Sequence, residues 1–314
     1  MNRPIRPGID RRIAPVSGVS RDGQPLSYNR APSPDLAPWV ARLYYTEVDA
    51  PGDHVLSCGL LNDTSFVRIQ VRGHWTAETV TGRMELDRSA LFFGPQSRRM
   101  SITVRGPFLS LGFALRPGAG PALKGPKAIE VMDRILPLAD FGTNEEEVLH
   151  LAGLGLSPEE TFQIMEGQLR KRVEETGRVE PEPISSRFEA AAHIDPTISI
   201  ARFASDNGIE QRRLERIVRR DFGMPPKQVL RRARALDMAS HLRGVIDPAE
   251  AEELALRYYD QSHLIREFAY YFGMSPRQFV ETPQPLMTLA LETRQARRLE
   301  MIERLAPGDV RPWE

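Results

Sequence analysis

The sequence predicts an α+β protein with a β-rich first half, a helical connector and an all-α second half. Three observations carry that expectation. Between Tyr28 and Gly142, short apolar runs are punctuated by glycine and proline. From Glu145 onward, apolar residues recur at helical spacing. Lastly, Phe222-Gly223-Met224-Pro225-Pro226-Lys227-Gln228 returns fifty residues later as Phe272-Gly273-Met274-Ser275-Pro276-Arg277-Gln278, with five of seven positions identical. An internal repeat means that one structural unit has been used twice.

At 314 residues the chain is long enough for two domains with ordinary cores, and 41% hydrophobic with 27% charged residues is a globular composition. Residues 1 to about 26, rich in Arg, Pro, Gly and Ser, read as a flexible leader. Candidate strands follow at Val40 to Val48, Phe66 to Val71, Met84 to Phe93, Met100 to Val104 and Phe108 to Leu115. Their breaks fall at Pro51-Gly52, Gly73, Gly82, Gly94-Pro95 and Gly106-Pro107. Short strands at this spacing predict a barrel or sandwich over 27–142.

Residues 143–183 read as a connector. Ser157-Pro158-Glu159-Glu160 starts a helix in which Phe162, Met165, Leu169 and Val173 form a stripe. The stripe can pack on the β-rich part or pair with a second subunit. Gly177 to Pro183, with two prolines and two acids, is the expected linker.

Ser199 caps a short helix that Asn207-Gly208 ends, since glycine accepts the positive φ of a helix exit. A second helix, from about Gln211 to Asp221, buries Leu214, Ile217 and Val218 and turns Arg212, Arg216 and Arg219 outward, flanked by Arg213 and Arg220. That is a helix-turn-helix pattern. An arginine face is in many proteins only a solvated one; here the turn and the repeat argue for recognition. Pro226 to Arg243 reads as a longer helix with a stripe at Val229, Ala233, Leu236, Ala239 and Leu242, broken at Gly244 and Asp247-Pro248.

In the second unit Asp260 is the expected N-cap, Leu264, Phe268 and Tyr271 pack inward, and Gln261, Ser262, His263 and Arg266 face out with Tyr270. Tyr258 stands where the repeat would place Gly208. Leu286 to Leu305 adds an amphipathic helix carrying Arg294, Arg297 and Arg298, which either covers the preceding domain or touches phosphate.

Charge is zoned. Lys plus Arg equal Asp plus Glu at 42 each, yet Glu210 to Arg234 carries nine basic and three acidic residues, while Asp140 to Glu182 carries four and eleven. The average conceals a basic face beside an acidic spacer. The single cysteine, Cys58, rules out an internal disulfide and suits a reducing compartment, and no signal peptide or membrane span is read, so the cytoplasm is expected. His54 and His74 lack a paired ligand motif, so no metal and no cofactor are expected. Arg116, at a Pro-Gly turn, serves either an anionic effector or the fold, and Trp39 and Trp75 line either a pocket or the core.

Residues 184–283 resemble the DNA-binding domain of the AraC/XylS family of bacterial transcription regulators. The matching marks are Ala204-x3-Gly208, Leu214, Phe222-Gly223-Met224-x-Pro226-Lys227, Arg231 to Arg234, Asp260-Gln261-Ser262-His263 and Phe272-Gly273-Met274-Ser275-Pro276. The resemblance implies two helix-turn-helix units joined by a linker helix and inserted in successive major grooves. It is looser over 27–142, on Phe92-Phe93-Gly94-Pro95, Gly112 to Gly118 and Leu136 to Gly142, where it implies a β-rich effector-binding module. Residues 284–314 stay outside it, as a C-terminal helical extension.

The expected function is therefore sequence-specific transcription regulation by a protein that is not an enzyme. The DNA contacts would be Gln211, Arg212, Arg213, Arg216, Arg219 and Arg220 in unit one, and Gln261, Ser262, His263 and Arg266 in unit two. Expected partners are double-stranded DNA, a small-molecule effector at unknown residues, RNA polymerase and a second copy of the chain. The rival readings are a β-domain enzyme, which should show a titratable cluster, and a ligand-binding or dimerising protein that has lost DNA binding.

Overall fold

The computed structural model describes residues 6–246, 250, 261–306 and 309–314. The helix break at Asp247 and Pro248, the altered turn at Tyr258 and the N-cap at Asp260 lie outside the described residues, as does the side chain of Gln261.

Nine described strands form one antiparallel sheet: β1 (Ala14–Pro15), β2 (Tyr28–Arg30), β3 (Val40–Asp49), β4 (Val55–Leu60), β5 (Phe66–Thr79), β6 (Gly82–Glu85), β7 (Ala90–Phe93), β8 (Met100–Leu115) and β9 (Ile135–Pro137). The order is β1-β3-β8-β5-β7-β9, with β2 on β3, β4 on β8 and β6 on β5. β8 is the spine. β5 lies along one of its edges, while β3 and β4 divide the other.

The α+β class holds, but the strands differ from expectation in ways that have local causes. The break expected at Gly106-Pro107 does not occur, because Gly106 takes a positive φ of 73° and β8 runs through it. Gly73 likewise sits inside β5, where the register against β8 shifts on both sides of Arg72. The stretch Met84 to Phe93 is split into β6 and β7. β4 was not foreseen, since Ser57 and Gly59 dilute its alternation. The expected barrel or sandwich is one sheet whose end strands, β1 and β9, are not paired with each other among the described residues.

Alternation along the strands makes two cores. Val40, Leu43, Val67, Ile69, Phe92, Leu111 and Leu115 turn to one face. Leu56, Phe66, Trp75, Phe93, Ile102 and Phe108 turn to the other. The first face is covered by α2 (Glu145–Ala152) and α3 (Pro158–Glu175), after the short α1 (Ala119–Ala122). α3 begins with a complete capping box between Ser157 and Glu160, and Phe162, Met165, Leu169 and Val173 are buried against the sheet. Burying four such side chains is worth on the order of 6–12 kcal/mol as an upper bound. The stripe thus packs on the sheet and is not free to hold a second subunit.

The other face receives the helical half: α4 (Pro183–Ile194), α5 (Ile200–Asp206), α6 (Gln211–Phe222), α7 (Pro226–Leu242), α8 (Gln261–Phe272), α9 (Pro276–Glu281) and α10 (Pro285–Met301). Its residues Leu236, Ala239, Phe268, Phe272, Phe279 and Leu286 belong to the same core cluster as Phe66, Trp75 and Phe108 of the sheet. One apolar core therefore spans both halves, while Phe188, Phe203, Leu214 and Val229 of α4, α5, α6 and α7 belong to a separate cluster of the helical half. α10 answers the question raised by its arginines: Arg294 pairs with Asp63 (3.1 Å) and Asp237 (2.6 Å), and Arg297 with Glu189, and both arginines are buried. The helix is a packing element.

The leader expected to be flexible is tied down from Gly8 onward, which corrects that reading. The Gly8 amide donates to the Val280 carbonyl (2.7 Å), β1 pairs with β3, and Gln24, Leu26 and Ser27 are buried. Arg243, buried after α7, donates to the Gly8 carbonyl (2.8 Å) and meets Gln24. Composition suggested disorder, but the polar groups of this segment have buried partners waiting.

Candidate nucleic-acid interface

The first unit is built on Phe188 of α4, which meets Phe203 of α5 and Phe222 of α6 edge-on at 5.1 and 5.5 Å. Ser199 caps α5 by accepting from the Arg202 amide. The turn after α5 passes through Gly208 at φ 61°, a left-handed position that glycine adopts without strain. α6 then buries Leu214, Ile217, Val218 and Phe222, because these fall on one side of a 3.6-residue period.

Its opposite side is open. Gln211, Arg212, Arg213, Arg216 and Arg219 are exposed. Arg212, Arg216 and Arg219 sit at i, i+4 and i+7, and their guanidinium groups make no ion pair or hydrogen bond among the described residues. Three unpaired planar forks in one row are suited to phosphate oxygens and guanine edges. The flanking residues are otherwise engaged. Gln211 donates to Glu215 (3.2 Å) and Arg213 pairs with Glu182 (3.2 Å). Arg220 is half-buried between Asp221 (2.7 Å) and Glu182 (3.2 Å), and the hydrogen bond to Asp221 helps hold its proton more tightly than usual. Of the six residues expected in unit one, three are unencumbered.

α7 carries the second unit. Tyr271 of α8 donates to the Gln228 carbonyl (3.1 Å), and Glu267 of α8 takes both Arg231 (2.8 Å) and Arg234 (2.7 Å) of α7. Burial pushes the Glu267 carboxyl up, but the hydrogen bonds from Arg234 and Arg231 outweigh it and hold it below the usual carboxylate range. Outward on α8 stand Ser262, His263, Arg266 and Tyr270, as the spacing predicts. His263 lies 3.6 Å from Glu267, and Arg98 of the β half stacks on Tyr270 at 4.4 Å. Leu264 is half-buried and Phe268 fully buried, stacked on Phe272 at 4.3 Å.

Two features were not foreseen. Glu267 ties α8 to α7, and only its spacing of four from His263 hinted at a polar role. The other is the grip of the β half on the helices. Arg232 of α7 is fully buried and donates to the carbonyls of Gln96 (2.7 Å) and Asp63 (2.8 Å). The 3-10 turn Ala128–Glu130 packs on α6, where Met132 and the Ala128 carbonyl crowd Gly223. No local pattern announces such long-range contacts.

The remaining candidates are structural. Arg116 donates to the Ala37 carbonyl (3.3 Å) and pairs with Glu189 (3.0 Å). Trp39 donates to the Val179 carbonyl (2.7 Å), and Trp75 packs edge-on to Phe108 at 4.9 Å. His54 and His74 each meet one aspartate, Asp10 and Asp87 respectively, at 2.8 Å. Among the described residues no group of three or more His, Cys, Asp or Glu could hold a metal. Cys58 is buried and bonded to Gln284, and burial pushes its thiol pKa up, which is the reverse of activation. No helix among the described residues is long and apolar enough to cross a membrane.

A domain family described as "Helix-turn-helix domain" matches residues 203–282. Among solved structures, the chain is similar to a point variant of apo ToxT from Vibrio cholerae strain SCE256, at 10% identity over 76% of this chain and 98% of that one, TM-score 0.46. Wild-type ToxT of the same strain, bound to an unsaturated fatty acid, aligns at 9% identity over 76% and 93%, TM-score 0.41. The AraC-like transcriptional activator CuxR aligns at 14% identity over 62% and 76%, TM-score 0.30. No curated protein matches the sequence.

Proposed function

We propose, from the premise that residues 203–282 are a helix-turn-helix domain of the AraC type, that the chain is a sequence-specific transcription regulator that is not an enzyme. The observation that carries this reading is the row of unpaired, exposed arginines on α6, Arg212, Arg216 and Arg219, directly after the Gly208 turn. These three are the principal contacts of unit one, with Gln211 and Arg213 beside them. Arg220 supports the helix rather than the duplex, given its bonds to Asp221 and Glu182. In unit two the contacts are Gln261, Ser262, His263 and Arg266. α7, 17 residues and about 26 Å long, spaces the two units on a scale close to the ~34 Å repeat of the major groove.

A small-molecule effector on the β half modulates DNA binding; the cavities at the sheet surface and the shared core support that part of the reading. A second copy of the chain, RNA polymerase and a cytoplasmic setting complete the proposal, on the family resemblance alone.

The test is a salt titration of binding to the intergenic DNA flanking the gene. Arg212→Ala with Arg216→Ala should weaken specific binding by about 30-fold or more, at 1–3 kcal/mol per lost base contact, with an unchanged circular dichroism spectrum. Each lost phosphate contact instead lowers the salt slope by about 1. Unchanged affinity and slope would remove these residues from the interface.

A further inference from the structure

Between the sheet and α10 lies a cavity of about 70 Å³. β5 alternation places Arg68 on the same face as Phe66, turned toward α10, and the residue is only 8% exposed. Its guanidinium carbon lies 5.3–5.5 Å from the ring centres of Phe66, Phe93 and Trp75. Among the described residues no carboxylate pairs with it, and its Nε and Nη1 have no hydrogen-bond partner.

The other charges around the cavity are matched. Arg294 has Asp63 and Asp237, and Arg297 has Glu189. Even so, Arg294 Nη2 and Arg297 Nε are left without acceptors. A guanidinium stays charged at any ordinary pH, and burying one without a counter-charge is strongly unfavourable. Among the described residues Arg68 is therefore the guanidinium of this cavity with no carboxylate beside it, and three arginines have vacant donors. The cavity's remaining walls include Phe108, Leu286 and Leu289 with the hydroxyls of Thr46, Ser110 and Thr293 and the amide of Asn62.

From this we infer that the cavity binds a short-chain monocarboxylate. One negative charge balances Arg68, a planar carboxylate accepts from a guanidinium fork, and a short apolar body lies on Phe108, Leu286 and Leu289. At roughly 10–15 Å³ of such space per water the cavity has room for about five, which matches the five heavy atoms of propionate. A dianion would leave a second charge unmatched. The site is closed by α10, which follows the helix-turn-helix match and contacts both α4 and α7. The acid's role as effector rests on the regulator reading proposed above; its binding does not.

The test uses the full chain and sodium propionate, with propionamide and equimolar sodium chloride as controls. Propionate should raise Tm saturably by several degrees, while neither control does. Arg68→Met should raise the Tm of the ligand-free protein, by removing the unmatched charge, and abolish the response. Ala290 of α10 also lines the cavity; Ala290→Leu, which fills the space and keeps the charge, should abolish the response alone, and it decides the matter if the first variant misfolds. A response as large with propionamide, an unchanged response in Ala290→Leu, or no response in the wild type would overturn the site. A separate arm measures DNA affinity with and without propionate: a change of about fivefold or more supports the effector role, and no change overturns that role. Failure to bind DNA at all would sink the regulator reading and leave the acid titration standing.

Discussion

Gly223 and Gly273 occupy equivalent places in the internal repeat, and both take a left-handed φ, of 79° and 69°. The sequence makes them look interchangeable. They are not: a Cβ on Gly223 would run into Met132 and press on the Ala128 carbonyl, whereas one on Gly273 would meet nothing within 4 Å. Alanine at 273 should cost about 1–2 kcal/mol of left-handed strain alone. Alanine at 223 should cost at least about 1 kcal/mol more, since the packing of Ala128 and Met132 must also shift. Urea midpoints of the two variants measure the difference, and equal losses would mean that Met132 moves freely. The outward residues of α6 and α8 were legible because a 3.6-residue period sorts side chains by angle. What Arg220, Arg116 and Arg68 do was not, because a charge's partner is set by chain that lies far away in sequence.

Among the elements, the helices were read more accurately than the strands. Ser157, Ser199 and Ser275 each accept from an amide of the first turn, so a local rule marks where α3, α5 and α9 begin. Strands lack such marks, and a glycine that should end one can instead bulge it, as in β5 and β8. The joint between α7 and α8 was invisible beforehand. Glu267 is almost wholly buried and takes two arginines of α7 and a histidine of its own helix, so it fixes how α8 stands on α7. Glu267→Gln keeps the shape and removes the charge. It should destabilise the protein by about 1–3 kcal/mol, less than a fully buried pair because Arg231 and Arg234 are partly exposed. It should also weaken binding to a two-site operator more than to a half-site. Equal weakening on both would show that the joint does not set the spacing.

For the molecule as a whole, the two halves meet through one core and a buried ionic layer, and His193 of α4 lies inside it. Burial and the nearby Arg294 push its imidazole well below the ordinary 6.5, so the folded protein keeps it neutral while the unfolded chain takes up a proton. The unfolded state then binds more protons below that pH, and stability must fall as the solution is acidified from about 6.5 downward, with a limiting slope of about 1.4 kcal/mol per pH unit. His193→Gln should flatten this region of the stability curve, measured by denaturant titration at stepped pH; an unchanged slope would assign the loss to other groups. The zoned charges and the repeat revealed two halves. Their fusion into one core was not legible, because the packing that gathers Leu236 and Phe268 into one cluster with Trp75 and Phe108 follows no sequence spacing.

The segment from Gly8 to Ser27 acts as a buckle. It closes on β3 at one end of its course and on Val280 and Arg243 at the other. Trimming those first residues would therefore loosen a joint more than two hundred positions downstream, and the ends of α7 and α9 would register a change made at the opposite terminus.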